Sequence, residues 1–269
     1  MIDLEKIQDF NYEGQRLLFK NSKRLDYDRF TIILLEEFDD DYLNLAINIK
    51  AKNAKEFDED FAKIKQIMHQ NKRKVSVWIY DNELLKAVDF KEKGLEISDN
   101  SVWLMKENLE DFEKFKSDIP IHISKINKEE EKDYPYIVNQ GFAKNNEQEP
   151  YDGLSESVME AIKRSYFVHS NFTIEHYIAK YKKEIVGTMT IMYEREIAYI
   201  YNVTTKIAYR KKGVCKELMS HIGKRLIQLG IDKVVLQTEA GFYPEKVYKS
   251  MGFKEILKGI QYTEKKEIE

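Results

Sequence analysis

The chain has 269 residues, 42% of them hydrophobic, which supplies apolar surface for one large core or two ordinary ones and excludes a disordered protein. Lys and Arg (44) nearly balance Asp and Glu (47) for a formal net charge of -3, so no global field draws nucleic acid or an anionic membrane, and any anion site must be local. A single cysteine, Cys215, excludes a disulfide framework and multi-cysteine zinc sites, while a charged N-terminus and no run near the roughly 20 apolar residues of a membrane span lead us to expect a cytoplasmic protein.

In chain order, a helical pattern runs to about residue 20 and strands are expected over 30–35 and 42–49. Phe57, Phe61, Ile64 and Met68 recur at helical spacing, so a helix follows, then a strand over 74–80, another helix, and a strand ending near Met105. All four prolines, Pro120, Pro135, Pro150 and Pro244, lie beyond the charged stretch KENLEDFEKFKSD at 106–118, which places a domain boundary near residue 118. The second half then predicts a strand over 121–126, helices over 129–143 and 155–167, and strands over 173–181, 184–193 and 198–205. A helix with Val214, Leu218, Ile222 and Leu226 on one stripe ends at Gly230, and a strand over 234–238, a short helix and a closing strand from Phe253 complete the chain.

The two halves repeat one another. KVSVWIYDNELLKAVDFKEKGLEI from Lys74 and KVVLQTEAGFYPEKVYKSMGFKEI from Lys233 both read as strand, turn, helix, glycine, apolar residue, strand, which predicts two related α/β units.

The stretch YNVTTKIAYRKKGVCKEL, residues 201–218, joins a strand to a helix through Gly213. A helix start leaves backbone N–H groups without partners and carries the positive end of the peptide dipoles, so with Arg210, Lys211, Lys212 and Lys216 around it this turn suits a diphosphate. No G-x-x-x-x-G-K-[ST] and no G-x-G-x-x-G occurs in the chain, which sets aside the commoner phosphate loops.

The turn resembles the acyl-CoA loop of the GNAT acyltransferases: Arg or Gln, two residues, Gly, one residue, then Gly or Ala. Arg210, Gly213 and Cys215 take those places, the cysteine being a departure. VYKSMGF at 247–253 is similar to the family's closing motif, with Tyr248 at its tyrosine, although Gly241 stands where many members carry an asparagine and Pro244 where they often carry alanine. The resemblance implies an α/β chain with a mixed α+β sheet and two GNAT-like units in tandem. Residues 1–118 would be degenerate and non-catalytic, and 119–269 catalytic.

It also implies direct transfer of an acyl group from acetyl-CoA, or another acyl-CoA, to an amine. The cofactor-binding set so implied is Val203, Thr204, Thr205, Arg210, Lys211, Lys212, Gly213, Val214, Cys215 and Lys216, with a backbone N–H within 202–205 polarising the thioester carbonyl. Tyr248 would donate a hydrogen bond to the departing sulfur. Glu239, just past a strand at the sheet's centre, is the first candidate for general base and His169 the second. A covalent route through Cys215 is the less favoured reading: a helix start and nearby lysines should lower its pKa, but no histidine is paired with it. In the first unit Phe90 matches Tyr248 and the stretch matching the loop, AKNAKEF at 51–57, has no glycine, so no acyl-CoA is expected there.

The partner expected is a small-molecule or peptide amine, with nucleic acid and membrane excluded and a homodimer left open. Acidic Glu147, Glu149 and Asp152 in the segment 140–153 would favour a cationic acceptor. His69, His122, His176 and His221 lack metal-ligand spacing, so no metal is expected. The competing readings are a non-catalytic acyl-CoA sensor or interaction module, and a tRNA-dependent aminoacyl transferase, against which the lack of a basic face argues.

Overall fold

A computed structural model describes residues 4–80, 82–143, 152–167, 172–195 and 197–265. The first half contains α1 (Leu4–Arg16), β1 (Ser22–Asp26), β2 (Thr31–Leu35), β3 (Leu45–Ile47), α2 (Ala54–Gln70), β4 (Ser76–Ile79), α3 (Asn82–Ala87) and β5 (Leu95–Glu107). A 3-10 segment (Leu109–Lys114) leads to β6 (His122–Lys125), α4 (Tyr134–Gly141), α5 (Glu156–Arg164), β7 (Thr173–Tyr181), β8 (Glu184–Glu194) and β9 (Ile197–Thr205). Then follow α6 (Val214–Gln228), β10 (Lys233–Glu239), α7 (Tyr243–Ser250) and β11 (Lys254–Glu264). Among the described residues no helix is long and apolar enough to cross a membrane.

Two compact units form, one from residues 1–101 with 257–269 and the other from 102–256. The chain therefore divides at 101 and again at 256, instead of once near 118. The charged stretch 106–118 contains an amphipathic turn: Leu109 and Phe112 are buried in the second unit's core, and a Cβ on Gly223 of α6 would lie 2.8 Å from Phe112. The first unit also recovers β11 from the far end of the chain, Ile260–Thr263 pairing antiparallel with Ser76–Ile79. A fragment ending at 118 would lack that strand.

In the first unit β1, β2 and β3 are antiparallel neighbours, and β3 runs parallel to β4 at Ala46↔Val77. Side chains alternate across a strand, so Ile33, Leu45, Ile47 and Trp78 pack with Tyr12 of α1 while Ile32, Leu34, Ala46 and Val77 pack with Phe57, Ile64 and Met68 of α2. The strand β1 went unpredicted because SKRLD has no apolar run; it is a charged edge strand of the kind that resists further pairing.

The second unit repeats the plan. Strands β6 to β9 form an antiparallel meander, and β9 runs parallel to β10 from Ile197↔Lys233 to Ile200↔Leu236. The predicted stripe of α6, Val214, Leu218, Ile222 and Leu226, is buried against Tyr177, Ala179, Val186 and Ile200. Ile178, one residue out of phase, packs on the other face with Tyr134 and Val138 of α4 and Ile162 of α5. Each unit also carries a left-handed asparagine at the strand that leads into its long helix, Asn48 just after β3 at φ 55° and Asn202 within β9 at φ 54°. Asparagine enters that region more readily than most side chains, so the shared choice marks a shared turn of the backbone.

Candidate active site

The parallel pair at the centre of the second unit opens at its carboxyl ends. Pairing between β9 and β10 stops at Ile200↔Leu236, yet β9 continues to Thr205 and β10 to Glu239. An opening of this sort beyond the carboxyl ends of parallel strands is where an α/β sheet receives ligands. The Tyr199 hydroxyl donates to Gln237 Oε1 at 3.4 Å across the pair just beyond the pairing.

On its other edge β9 bulges. Thr190 pairs with Tyr201 and Thr188 with Thr204, so Met189 alone opposes Asn202 and Val203. A bulge removes one residue from the ladder and turns its backbone groups elsewhere. Asn202 is held there by two threonines of β8: Thr188 Oγ1 donates to the Asn202 carbonyl at 2.8 Å, and Asn202 Nδ2 donates to Thr190 Oγ1 at 3.3 Å. Thr204 Oγ1 lies 2.7 Å from Thr188 Oγ1, whose own proton is already committed, so Thr204 donates.

The start of α6 sits close to this bulge because β8 carries glycine at 187. A Cβ there would lie 2.9 Å from Val214 Cγ1 and 3.1 Å from the Thr204 carbonyl, so only glycine lets the helix settle on the strand. Arg210 Nε donates to the Thr205 carbonyl at 3.0 Å and ties the loop back to β9. Gly213 is the N-cap residue of α6 at φ 77°, with no side-chain cap. The first helical bond is Glu217 N to Gly213 O, which leaves the amides of Val214, Cys215 and Lys216 without intrahelical acceptors. Lys211 and Lys212 are exposed beside them, and Lys216 Nζ lies 5.7 Å over the Phe115 ring.

The glycine serves a second purpose that sequence did not reveal. A Cβ on Gly213 would lie 2.6 Å from the Lys116 carbonyl oxygen and 2.9 Å from Ser117 Cα. The segment 116–118 packs directly on the turn: the Asp118 amide and the Ser117 hydroxyl donate to the Lys212 carbonyl at 2.9 and 2.7 Å, and the Ser117 amide donates to Glu217 Oε2 at 2.8 Å. The close backbone approach that glycine permits at 213 is thus made by the chain itself.

The same element in the first unit is closed. The helix α2 begins at N-cap Asn53, whose Oδ1 accepts from the Glu56 amide at 3.0 Å, while Glu56 Oε2 reaches back to the Lys52 amide at 2.9 Å. This reciprocal cap fills an anion site with the chain's own oxygens. Phe90, in the place of Tyr248, stacks on Tyr262 at 4.0 Å and offers no hydroxyl.

Tyr248 of α7 is buried in the second unit's core, its ring edge-on to Phe253 at 5.9 Å, in the same cluster as Val214 and Leu218. Glu239 is half-buried at the end of β10, beside the sheet opening. His169, Glu147 and Glu149 lie outside the described residues. Cys215 is packed on the core, and desolvation pushes its thiol up to about 12 against the smaller opposing effect of Lys216, which runs against the already less favoured covalent route. Cys215→Ala should therefore keep turnover within about twofold, measured as thiol release; a loss of 10-fold or more would restore the covalent route. A surface cavity of about 530 Å³ opens at the far end of α6, between Glu107–Glu110 and Ile231–Lys233, and contains none of these residues.

Residues 128–253 match the model of the Acetyltransferase (GNAT) family. In structure the chain is similar to a functionally unknown conserved protein from Staphylococcus epidermidis ATCC 12228, with a TM-score of 0.75, 17% identity, and coverage of 98% of this chain and 97% of that one. It is similar to a GCN5-related N-acetyltransferase from Kribbella flavida at a TM-score of 0.64, 13% identity, and coverage of 96% and 94%. A tandem GNAT protein from the clavulanic acid biosynthesis pathway follows at 0.56, 11%, and 87% and 77%. No curated protein matches the chain. At these identities the solved structures speak for the fold alone, and it is a fold that a tandem GNAT protein shares. The bulged strand, the splayed parallel pair and the uncapped helix start all fall inside the matched segment, and the second unit of this chain carries a domain of the GNAT acetyltransferase family.

Proposed function

We propose that this chain is an acyl-CoA-dependent N-acyltransferase of the cytoplasm, with acetyl-CoA as donor and the second unit as the catalytic one. One contrast carries the reading: α6 starts uncapped beside a bulged, splayed strand, whereas its counterpart α2 is capped by Asn53 and Glu56. The amides of Val214, Cys215 and Lys216 would hold the pyrophosphate, with Arg210, Lys211 and Lys212 around it. The thioester would then run along β9 past Val203, Thr204 and Thr205.

In the reaction the amine nitrogen forms a bond to the thioester carbonyl carbon and the carbon–sulfur bond breaks. A backbone N–H at the 202–203 bulge would stabilise the oxyanion. The acceptor's proton must leave first, and Glu239, half-buried at the opening, is the base we assign, directly or through one water. At the leaving sulfur, a thiol pKa of roughly 8.5 against roughly 10 for tyrosine makes full proton transfer uphill by about 2 kcal/mol, so Tyr248 would donate a hydrogen bond without giving up its proton.

The test is thiol release from acetyl-CoA with a panel of primary amines. Losing one neutral hydrogen bond to the sulfur predicts that Tyr248→Phe lowers kcat about 10-fold with KM for acetyl-CoA little changed. Binding of acetyl-CoA without turnover of any amine would leave an acyl-CoA sensor as the better account.

A further inference from the structure

Beneath the bulge lies a chain of buried polar groups that the acyl-transfer chemistry does not itself require. Asn202, Thr190, His176, Ser165 and Tyr134 are 8%, 0%, 3%, 7% and 0% exposed. Buried polar groups persist only when paired, so the direction of each bond can be worked out from its end.

The end is the carbonyl of Ile162 in the last turns of α5, which can only accept. Ser165 Oγ lies 2.6 Å from it and donates its one proton there. The same oxygen is 2.7 Å from His176 Nε2, so it accepts, and Nε2 carries the proton. Burial drives the His176 pKa down to about 3, which keeps the ring neutral with a single N–H. His176 Nδ1 is therefore an acceptor, and Thr190 Oγ1, 2.9 Å away, donates to it. The Thr190 lone pairs are then left for two donors, the Tyr134 hydroxyl at 2.8 Å and Asn202 Nδ2 at 3.3 Å. Every proton has one place, and the chain has one direction, from the β9 bulge to the end of α5.

We infer that Thr190 and His176 are positioning residues that fix the Asn202 bulge in its left-handed conformation against α4 and α5. The inference rests on the acyl-transfer reading for what the bulge does, and on the hydrogen bonds alone for how it is held. Thr188 secures only the Asn202 carbonyl. Without the side-chain tether the bulge can slip back into the ladder, and the backbone N–H that would meet the thioester oxygen loses its aim. His176 takes no part as a base, since its two nitrogens are committed and its ring is shielded by Tyr134 and Tyr166, each edge-on at 5.0 Å.

The test compares Thr190→Val, Thr190→Ser and Asn202→Gly in the full chain, the last keeping backbone freedom while removing the tether. Thr190→Val and Asn202→Gly should lower kcat about 10-fold with KM for acetyl-CoA within about twofold, and Thr190→Ser should restore kcat. Hydrogen exchange of the peptide spanning 200–205 should quicken in the first two variants and not in the serine variant. The inference is overturned if that exchange is unchanged, if serine fails to rescue, or if the loss falls on KM. A wild-type chain that turns over no amine would defeat the acyl-transfer reading while the exchange measurement still decides how the bulge is held.

Discussion

Gly213→Ala should cost about 3 kcal/mol of stability and weaken acetyl-CoA binding by 10- to 100-fold, whereas Gly230→Ala should cost about 1 kcal/mol and leave binding unchanged. Both glycines are left-handed, at φ 77° and 75°, one at each end of α6, so the backbone strain of the substitution is shared. Their surroundings differ. A Cβ at Gly230 meets nothing within 4 Å, while one at Gly213 meets the Lys116 carbonyl at 2.6 Å. To relieve that contact the segment 116–118 must move and give up the bonds that Asp118 and Ser117 make to the Lys212 carbonyl, each worth about 1 kcal/mol. The turn would shift with them, and the amides of Val214, Cys215 and Lys216 would no longer converge on an anion. Denaturant unfolding and calorimetric titration with acetyl-CoA read the two consequences separately. Equal stability losses in the two variants would refute the packing of 116–118 on the turn. A large stability loss with unchanged affinity would refute the phosphate cradle.

That comparison also shows where sequence reading succeeded and where it stopped. The stripe of α6 was legible because four apolar residues at helical spacing have one physical outcome, and all four are buried. The turn at Gly213 was legible because glycine, basic residues and a helix start coincide within seven residues, Arg210 to Lys216. The packing of Ser117 on Lys212 was not, since the partners stand 95 residues apart and no local pattern encodes them.

The threonines of β8 misdirect in a different way. GTMTIM alternates polar and apolar residues as a half-wet strand does, yet Thr188 and Thr190 are both 0% exposed beneath α4 and α5. What alternation marks as a solvent face is here the wall that holds the bulge. A signal was present in Asn202 itself: asparagine is depleted from strand interiors, and one flanked by a predicted strand on both sides asks for a backbone irregularity. Its counterpart Asn48, also left-handed, has its Nδ2 bonded to Asp9 Oδ1 of α1 at 2.8 Å, so the repeat kept the turn and changed what holds it.

The neutral histidine beneath the bulge makes the fold sensitive to mild acid. The unfolded chain binds a proton at His176 near pH 6.5, and the folded chain only near 3, because burial, and secondarily the charge of Lys125, oppose the imidazolium. Between those values the unfolded state holds the extra proton, so stability is lost as pH falls below about 6.5. At pH 5 the gap of about 1.5 pH units corresponds to about 2 kcal/mol. His221, also pushed down by burial, adds a smaller loss of the same sign. Glu175 has its pKa lowered by hydrogen bonds from Arg225 and Tyr177 that outweigh its desolvation, and loses its contribution only below the ordinary carboxylate range. The window from pH 7.5 to 5 therefore isolates the histidines. His176→Gln should be less stable than wild type at pH 7.5, having lost bonds in the buried chain, yet its stability should fall by about 2 kcal/mol less on going to pH 5. Parallel pH profiles for the two proteins would show that His176 titrates normally. Protonation would also place a hydrogen on Nδ1, where Thr190 now donates, so Thr190 would have to turn its proton away and the new Nδ1–H would compete with Asn202 and Tyr134 for the Thr190 lone pairs. With its folded pKa near 3 the ring stays neutral in the intact fold at pH 5, so acid acts through openings that expose His176, and a lower protection factor for 200–205 at pH 5 than at pH 7.5 in wild type, absent in His176→Gln, would mark those openings.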